Sequence, residues 1–273
     1  MSFQRRDLCS SGIRGSAVGQ FHATKPARCE GEDGNTSSSE RGRMNQQWFV
    51  GRVYSDHNRS PLIRKPVEDF LRKLSQGGWG IDIGGDCKRH PRLLTVNLQR
   101  NRNTDVVADA MRLPFKDESM DVVITQETLE HVRCPDVALA EVHRVLKPGG
   151  TLFCQLPFVI GYHPGPYDFY RFSREGIVAL VERAGFKPTR VSVSVGPAAA
   201  FARICAEFFA VTAATISPRL YRLAKGSAAL LFYPLKWMEP MLLRSPQVDR
   251  LAGGYIVFAE KAERPAQDME SRS

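Results

Sequence analysis

The 273-residue chain is poor in cysteine, with six, at positions 9, 29, 87, 134, 154 and 205. None belongs to a Cys-x-x-Cys pair, and none stands with histidines at metal-ligand spacing, which argues against both a zinc module and a disulfide-stapled scaffold and leaves no metal expected. A reducing, cytoplasmic setting fits that usage. The chain also lacks an apolar run of the ~20 residues that a spanning helix needs, and its N-terminal stretch lacks the apolar centre of a secretory signal. What is present is ordinary globular material, 42% apolar and 25% charged, enough to bury a sizeable core. Lys plus Arg outnumber Asp plus Glu by 38 to 29, a formal +9, which favours anionic partners without naming one.

Residues 1–43 combine Ser37-Ser38-Ser39, scattered glycine and charges with no helix or strand period, and are expected to be a disordered tail. From Pro66 the pattern changes. Val67, Phe70, Leu71 and Leu74 fall at i, i+3, i+4 and i+7 and predict an amphipathic helix closed by Gly77-Gly78. Ile81–Gly84, Leu93–Leu98, Asp105–Ala108 and Met120–Thr125 are short β-branched runs that read as strands. A helix bearing Leu139, Val142 and Leu146 is stopped by Lys147-Pro148-Gly149-Gly150 before a strand at Thr151–Leu156. Ser173 caps a helix with Ile177, Leu180, Val181 and Ala184, ended by Gly185, and Thr189–Val195 alternates as a strand. Strands alternating with helices predict an α/β fold with a doubly wound, mainly parallel sheet.

The expected domain plan is a core at 44–197, a helical basic and aromatic insertion at 198–250, a closing strand at 251–263 and a frayed tail at 264–273. Within 198–250 seven basic residues face three acidic ones. Two readings of this insertion stand: helices packed on the core, or a basic, aromatic surface that lies on an anionic membrane or grips a lipid-linked substrate.

The chemistry-bearing segments run in order. Gly80-Ile81-Asp82-Ile83-Gly84-Gly85-Asp86 is a strand entering a glycine turn, where the backbone can approach a ligand closely. Asp109-Ala110-Met111-Arg112-Leu113-Pro114-Phe115, Gln126-Glu127-Thr128-Leu129-Glu130-His131-Val132 and Glu141 to Gly150, ending Arg-Val-Leu-Lys-Pro-Gly-Gly, follow. Together they resemble the class I S-adenosylmethionine-dependent methyltransferases of the type called methyltransferase type 11, over about residues 60–195. The resemblance implies a seven-stranded Rossmann-like sheet, with the insertion placed before its last strand. It also implies S-adenosylmethionine as cofactor, held at the carboxyl ends of the strands. Asp82, Gly84, Gly85 and Asp86 would face its methionine end, Asn97 the ribose, Asp109 and the Ala110 amide the adenine, and Gln126 the transferable methyl. Two positions depart from the family pattern: Asp86 stands where a glycine is usual, and Asn97 where an acid usually takes both ribose hydroxyls.

His163-Pro164-Gly165-Pro166-Tyr167-Asp168-Phe169-Tyr170-Arg171-Phe172-Ser173 resembles the segment after the fifth strand in a bacterial subgroup often linked to glycan or glycolipid metabolism. Proline and glycine stiffen a loop where a substrate lid belongs. His163, Asp168, Tyr170 and Arg171 would offer a base, an acceptor, a stacking face and an anion clamp. Alternatively Asp168 and Arg171, at i and i+3, pair to hold the loop, with Tyr170 as packing. His163 is the preferred catalytic base and His131 the runner-up.

The function expected is methyl transfer to a small-molecule or lipid/glycan-linked acceptor, at oxygen before carbon or nitrogen, in a cytoplasmic protein with peripheral membrane contact through 198–250. The rival is a methyltransferase-like binding or scaffold protein whose cofactor site Asp86 and Asn97 have weakened. Nucleic acid is disfavoured as a partner: Thr125-Gln126-Glu127-Thr128 stands where an Asn/Asp-Pro-Pro-Tyr/Phe motif would be, and no dense basic run is interleaved with aromatics.

Overall fold

The computed structural model describes residues 61–75 and 77–263; the expected tails at 1–43 and 264–273 lie outside these residues. The first helix, α1 (Pro61–Ser75), begins earlier than its sequence pattern and contains Pro66. It extends upstream because Ile63 prolongs the apolar stripe of Val67, Phe70 and Leu74, all four buried; packing there outweighs the one backbone donor lost at the proline.

Seven strands follow: β1 (Gly80–Ile83), β2 (Leu93–Asn97), β3 (Val106–Val107), β4 (Met120–Gln126), β5 (Leu146–Pro157), β6 (Phe186–Val195) and β7 (Gly254–Lys261). They form one sheet in the order β3-β2-β1-β4-β5-β7-β6. Strands β1 to β5 pair in parallel, and β7 runs antiparallel between β5 and β6. The strand order reverses between β1 and β4, which makes their carboxyl ends the place for a ligand crevice. Helices α2 (Pro135–Val145) and α3 (Arg174–Arg183) follow β4 and β5.

Alternation along β4 sends Val122 and Ile124 to one face, where Phe70 of α1 packs with Phe153. Val123 points to the other, among Leu139 and Val142 of α2 and Leu180 and Val181 of α3. Ser173 caps α3 as its sequence predicts, its hydroxyl accepting from the Gly176 amide at 3.1 Å.

Two motif segments serve the fold. The Glu141 carboxylate accepts from the Leu113 amide at 2.9 Å. Arg144 donates to Glu141 and to the carbonyls of Leu113 and Phe115, so "LPF" and "RVLKPGG" are stitched to one another. Lys147-Pro148-Gly149-Gly150 is a bulge inside β5 rather than a stop before it: Met120 pairs with Leu146, but Val122 already pairs with Thr151. Gly149 takes a φ of 74°, and the Lys147 ammonium grips Asp121 at 2.8 Å.

The insertion is helical. It comprises α4 (Pro197–Ala214), α5 (Leu220–Phe232) and short turns ending in α6 (Glu239–Leu242) and Val248–Arg250. Small residues Ala206, Ala228 and Ala229 let α4 and α5 approach closely. No side chain of α4 caps its start at Gly196-Pro197; the Glu239 carboxylate does so from a distance, accepting from the Ala198 amide at 2.8 Å. Contrary to the expectation of no spanning-length run, α4 has 18 residues of mean hydropathy 1.3, long and apolar enough to cross a membrane, and only 33% of it is buried. A second difference concerns the thiols. Cys154 and Cys205 are free, whereas Cys87 and Cys134 are disulfide-bonded, a matter of spatial proximity that sequence spacing does not encode.

Candidate active site

The turn after β1 is built around a buried carboxylate. Asp82 is 1% exposed, and neither carboxylate oxygen has a hydrogen-bond partner among the described residues. Burial pushes its pKa up to about 6, against the pull of Arg89 and with a further push from Asp86. Gly85 is required here, since a Cβ at that position would lie 2.5 Å from the Asp82 Oδ2. Gly84 has a φ of 80°, and a Cβ there would strike the Thr128 hydroxyl.

Arg89 is a site residue that motif matching missed. Its Nε lies 3.6 Å from Asp82 Oδ2, and its Nη1 donates to the Gln126 side-chain oxygen. The guanidinium thus bridges the carboxyl ends of β1 and β4 at the point where the strand order reverses. Its signal in the sequence was only a basic residue soon after the glycine turn, and basic residues are common there.

Asn97, at the end of β2, gives its amide N–H groups to the Gly85 carbonyl at 2.9 Å and to the Thr104 hydroxyl at 3.3 Å. Asp86 is exposed, and its carbonyl accepts from Asn103 at 2.6 Å. Beyond β3, Asp109 is exposed with its carboxylate turned onto the Met111 amide at 2.9 Å, and Ala110 is buried. Gln126 is nearly buried and donates to Gln155 at 2.9 Å. These residues all stand at the carboxyl ends of β1, β2, β3 and β4. Glu127, directly after β4, sits at a φ of 48°, in the left-handed region that a non-glycine residue enters only at a cost. That bend brings the Thr128 hydroxyl to the Ile83 carbonyl at 3.1 Å and ties the two loops together.

A second group lies one strand further on. Because Gln126 and Gln155 are register partners on parallel β4 and β5, the loops leaving both strands emerge side by side. The first turns through a one-turn helix, Leu129–His131, and the second carries His163 to Phe172. Three bonds join them: the Phe169 amide to the Glu130 carbonyl at 2.8 Å, the Tyr170 hydroxyl to the Arg133 carbonyl at 2.8 Å, and His131 Nδ1 to the Tyr167 carbonyl at 2.5 Å.

Glu130 is fully buried and stands 3.7 Å from both His131 Nε2 and His163 Nε2. Desolvation pushes the Glu130 carboxyl upward, while the same carboxylate raises the His163 pKa against its own burial. The two imidazoles meet edge to face with centroids 5.2 Å apart. The two candidate bases are therefore one cluster.

Arg171 has spent its five N–H groups inside the loop. It takes both Asp168 oxygens, at 2.5 and 2.6 Å, and the carbonyls of Ile160, Gly161 and Tyr170, and lies 3.2 Å from His163 Nδ1. The loop-holding alternative is what the geometry displays, and no donor is left over for a clamp on a substrate anion. Asp168 also accepts from the His163 amide at 2.8 Å, and its pairing with Arg171 lowers its pKa to about 2.

The sequence is similar to known methyltransferases. A methyltransferase domain family matches residues 86–154. The ubiquinone/menaquinone biosynthesis C-methyltransferase UbiE of Neisseria gonorrhoeae is 42% identical over 107 residues, 35% of this chain and 43% of that protein. The chain thus spans less than half the length of its Neisseria relatives in the matched region. UbiE of a Ruegeria species is 34% identical over 214 residues, 60% of this chain and 86% of that protein. Among solved structures, the Burkholderia thailandensis 1,6-didemethyltoxoflavin-N1-methyltransferase has a TM-score of 0.46 at 13% identity, covering 85% of this chain and 93% of that one. With the ordered motifs, the strand order and the breadth of the Ruegeria match, the chain belongs to the class I S-adenosylmethionine-dependent methyltransferases of the methyltransferase domain family.

Proposed function

We propose that the protein transfers a methyl group from S-adenosylmethionine to a small-molecule acceptor. The observation that carries this reading is the buried Asp82 carboxylate over the Gly84-Gly85 turn at the carboxyl end of β1, which has the Arg89 guanidinium 3.6 Å away but no hydrogen-bond partner among the described residues. A buried carboxylate without hydrogen bonds is costly unless a ligand supplies them, and the cofactor of this family carries an ammonium and a sulfonium. The group supplies an activated methyl on that sulfonium.

The chain's own residues would then position and desolvate. Arg89 supplies positive charge beside Asp82 and so offsets the further push that Asp86, the acid that replaces the usual glycine, exerts on that carboxylate. Asn97 uses its amide to hold the turn, which leaves Oδ1 as its acceptor for one ribose hydroxyl. Asp109 and the Ala110 amide take the adenine edge, and Gln126 lies beside the transfer path. In-line displacement asks mainly for alignment and a dry site, plus a base where the acceptor must lose a proton. His163 takes that proton at Nε2, the nitrogen 3.7 Å from Glu130, whose carboxylate stabilises the imidazolium from that side; His131, its Nδ1 tied to Tyr167, is second.

Oxygen is the acceptor atom favoured by the residues alone. The names of the UbiE relatives favour carbon as a second reading, and both ask the same proton removal of His163. For the lipid-linked and membrane-peripheral reading, support comes from the insertion: Phe208, Leu223, Leu231 and Trp237 are each more than 60% exposed, and Arg219 and Arg222 line a groove with Tyr221.

Calorimetric titration of S-adenosylmethionine and S-adenosylhomocysteine into the wild type, Asp86→Gly and Asp109→Ala tests the main reading. We expect micromolar-range binding to the wild type, tighter binding to Asp86→Gly and none to Asp109→Ala. A silent wild type beside a binding Asp86→Gly would favour the scaffold rival instead.

A further inference from the structure

We propose that Glu130, His131 and His163 form a binding site for a divalent transition-metal ion of the zinc type. The three offer one ligand atom each, all within 4.8 Å of one another. Two of the three separations are 3.7 Å, close to the ~3.4 Å between neighbouring ligands of a tetrahedral ion with bonds near 2.1 Å. Those contacts are too long for direct hydrogen bonds, so the pairs are set at the spacing an intervening ion requires rather than at that of a hydrogen-bonded dyad.

Two independent observations point to a ligand. The Glu130 side chain is 0% exposed, and both its oxygens, together with His163 Nε2, have no hydrogen-bond partner among the described residues. Each imidazole, moreover, has its other nitrogen on a backbone carbonyl: His131 Nδ1 on Tyr167 and His163 Nδ1 on Gly161 at 3.0 Å. That arrangement fixes the tautomer that leaves Nε2 bare, which is how metal-binding histidines are usually oriented. Two imidazoles and one carboxylate suit zinc and its neighbours rather than magnesium or calcium, which prefer oxygen sets. An ion would also neutralise the carboxylate that burial otherwise penalises.

Three protein ligands leave a coordination position open to water or to an acceptor oxygen, and an ion there would replace His163 Nε2 in unmasking the acceptor. This last role rests on the methyl-transfer reading; the binding of the ion does not.

The test uses the full chain, stripped with chelator and titrated with Zn2+ and Co2+. One equivalent should bind, with visible cobalt bands of a four- or five-coordinate ion and no near-ultraviolet sulfur charge-transfer band, which separates this site from one built on cysteine. Glu130→Gln, His131→Asn and His163→Asn should each weaken uptake at least tenfold, while thermal unfolding and S-adenosylmethionine binding show that the variants are folded. Absence of stoichiometric uptake, uptake undiminished in His163→Asn and His131→Asn, or a sulfur band would overturn the proposal. A chain that takes zinc but not S-adenosylmethionine would sink the proposed function alone.

Discussion

At the scale of single residues, the site trades stability for readiness to bind. Asp82 ionises with a pKa near 6 instead of 3.8 because burial disfavours its charge. An acid whose folded pKa is raised binds more protons in the folded than in the unfolded state between those values, so stability falls as pH rises from about 4 to 6. Asp82→Asn removes that penalty. We expect the variant to match the wild type in thermal stability near pH 4 and to exceed it by about 3 kcal/mol at pH 8, while its cofactor affinity drops at least tenfold. A stability difference independent of pH would contradict burial as the cause. Asp82 was legible in the sequence because the glycine turn around it is distinctive. Arg89 was not, because its role depends on reaching across from β1 to β4, and neither Asp82 nor Gln126 marks it as a partner.

At the scale of elements, the loop from His163 to Phe172 owes its shape to the Asp168–Arg171 pair. The Asp168 side chain is 1% exposed and Arg171 only 26%, so removing the cation strands a buried charge. Arg171→Ala should cost about 3–5 kcal/mol in urea unfolding, and adding Asp168→Asn to it should restore part of that loss; a double variant as unstable as the single one would refute the account. Because the folded Asp168 pKa is lowered to about 2, its contribution is present above about pH 4 and is lost as pH falls toward 2. The i, i+3 spacing announced this pair. It gave no sign that Arg171 would saturate itself on Ile160, Gly161 and Tyr170 carbonyls, since those contacts follow from how the loop folds back. The bulge at Lys147–Gly150 likewise differs from the helix stop that its sequence predicts, because proline and glycine signal a break in regular structure without saying which element breaks.

At the scale of the whole molecule, the +9 of the chain is uneven, and the insertion at 198–250 carries +4 with seven basic against three acidic residues. Charge and exposed aromatics coincide on α4, α5 and the turn after them. Co-sedimentation with phosphatidylglycerol vesicles should therefore fall as salt rises, and Phe208→Ser with Trp237→Ser should reduce it at constant salt; pelleting indifferent to both would remove the membrane reading. The order of strands and helices, the glycine turn at Asp82 and the family were set by the sequence itself, because hydrophobic period and turn chemistry are local properties. The joining of Glu130 and His131 with His163, thirty-two positions further on, was decided only by the tertiary structure. Parallel pairing of β4 and β5 places their carboxyl ends side by side, and residues distant along the chain become neighbours through that register alone.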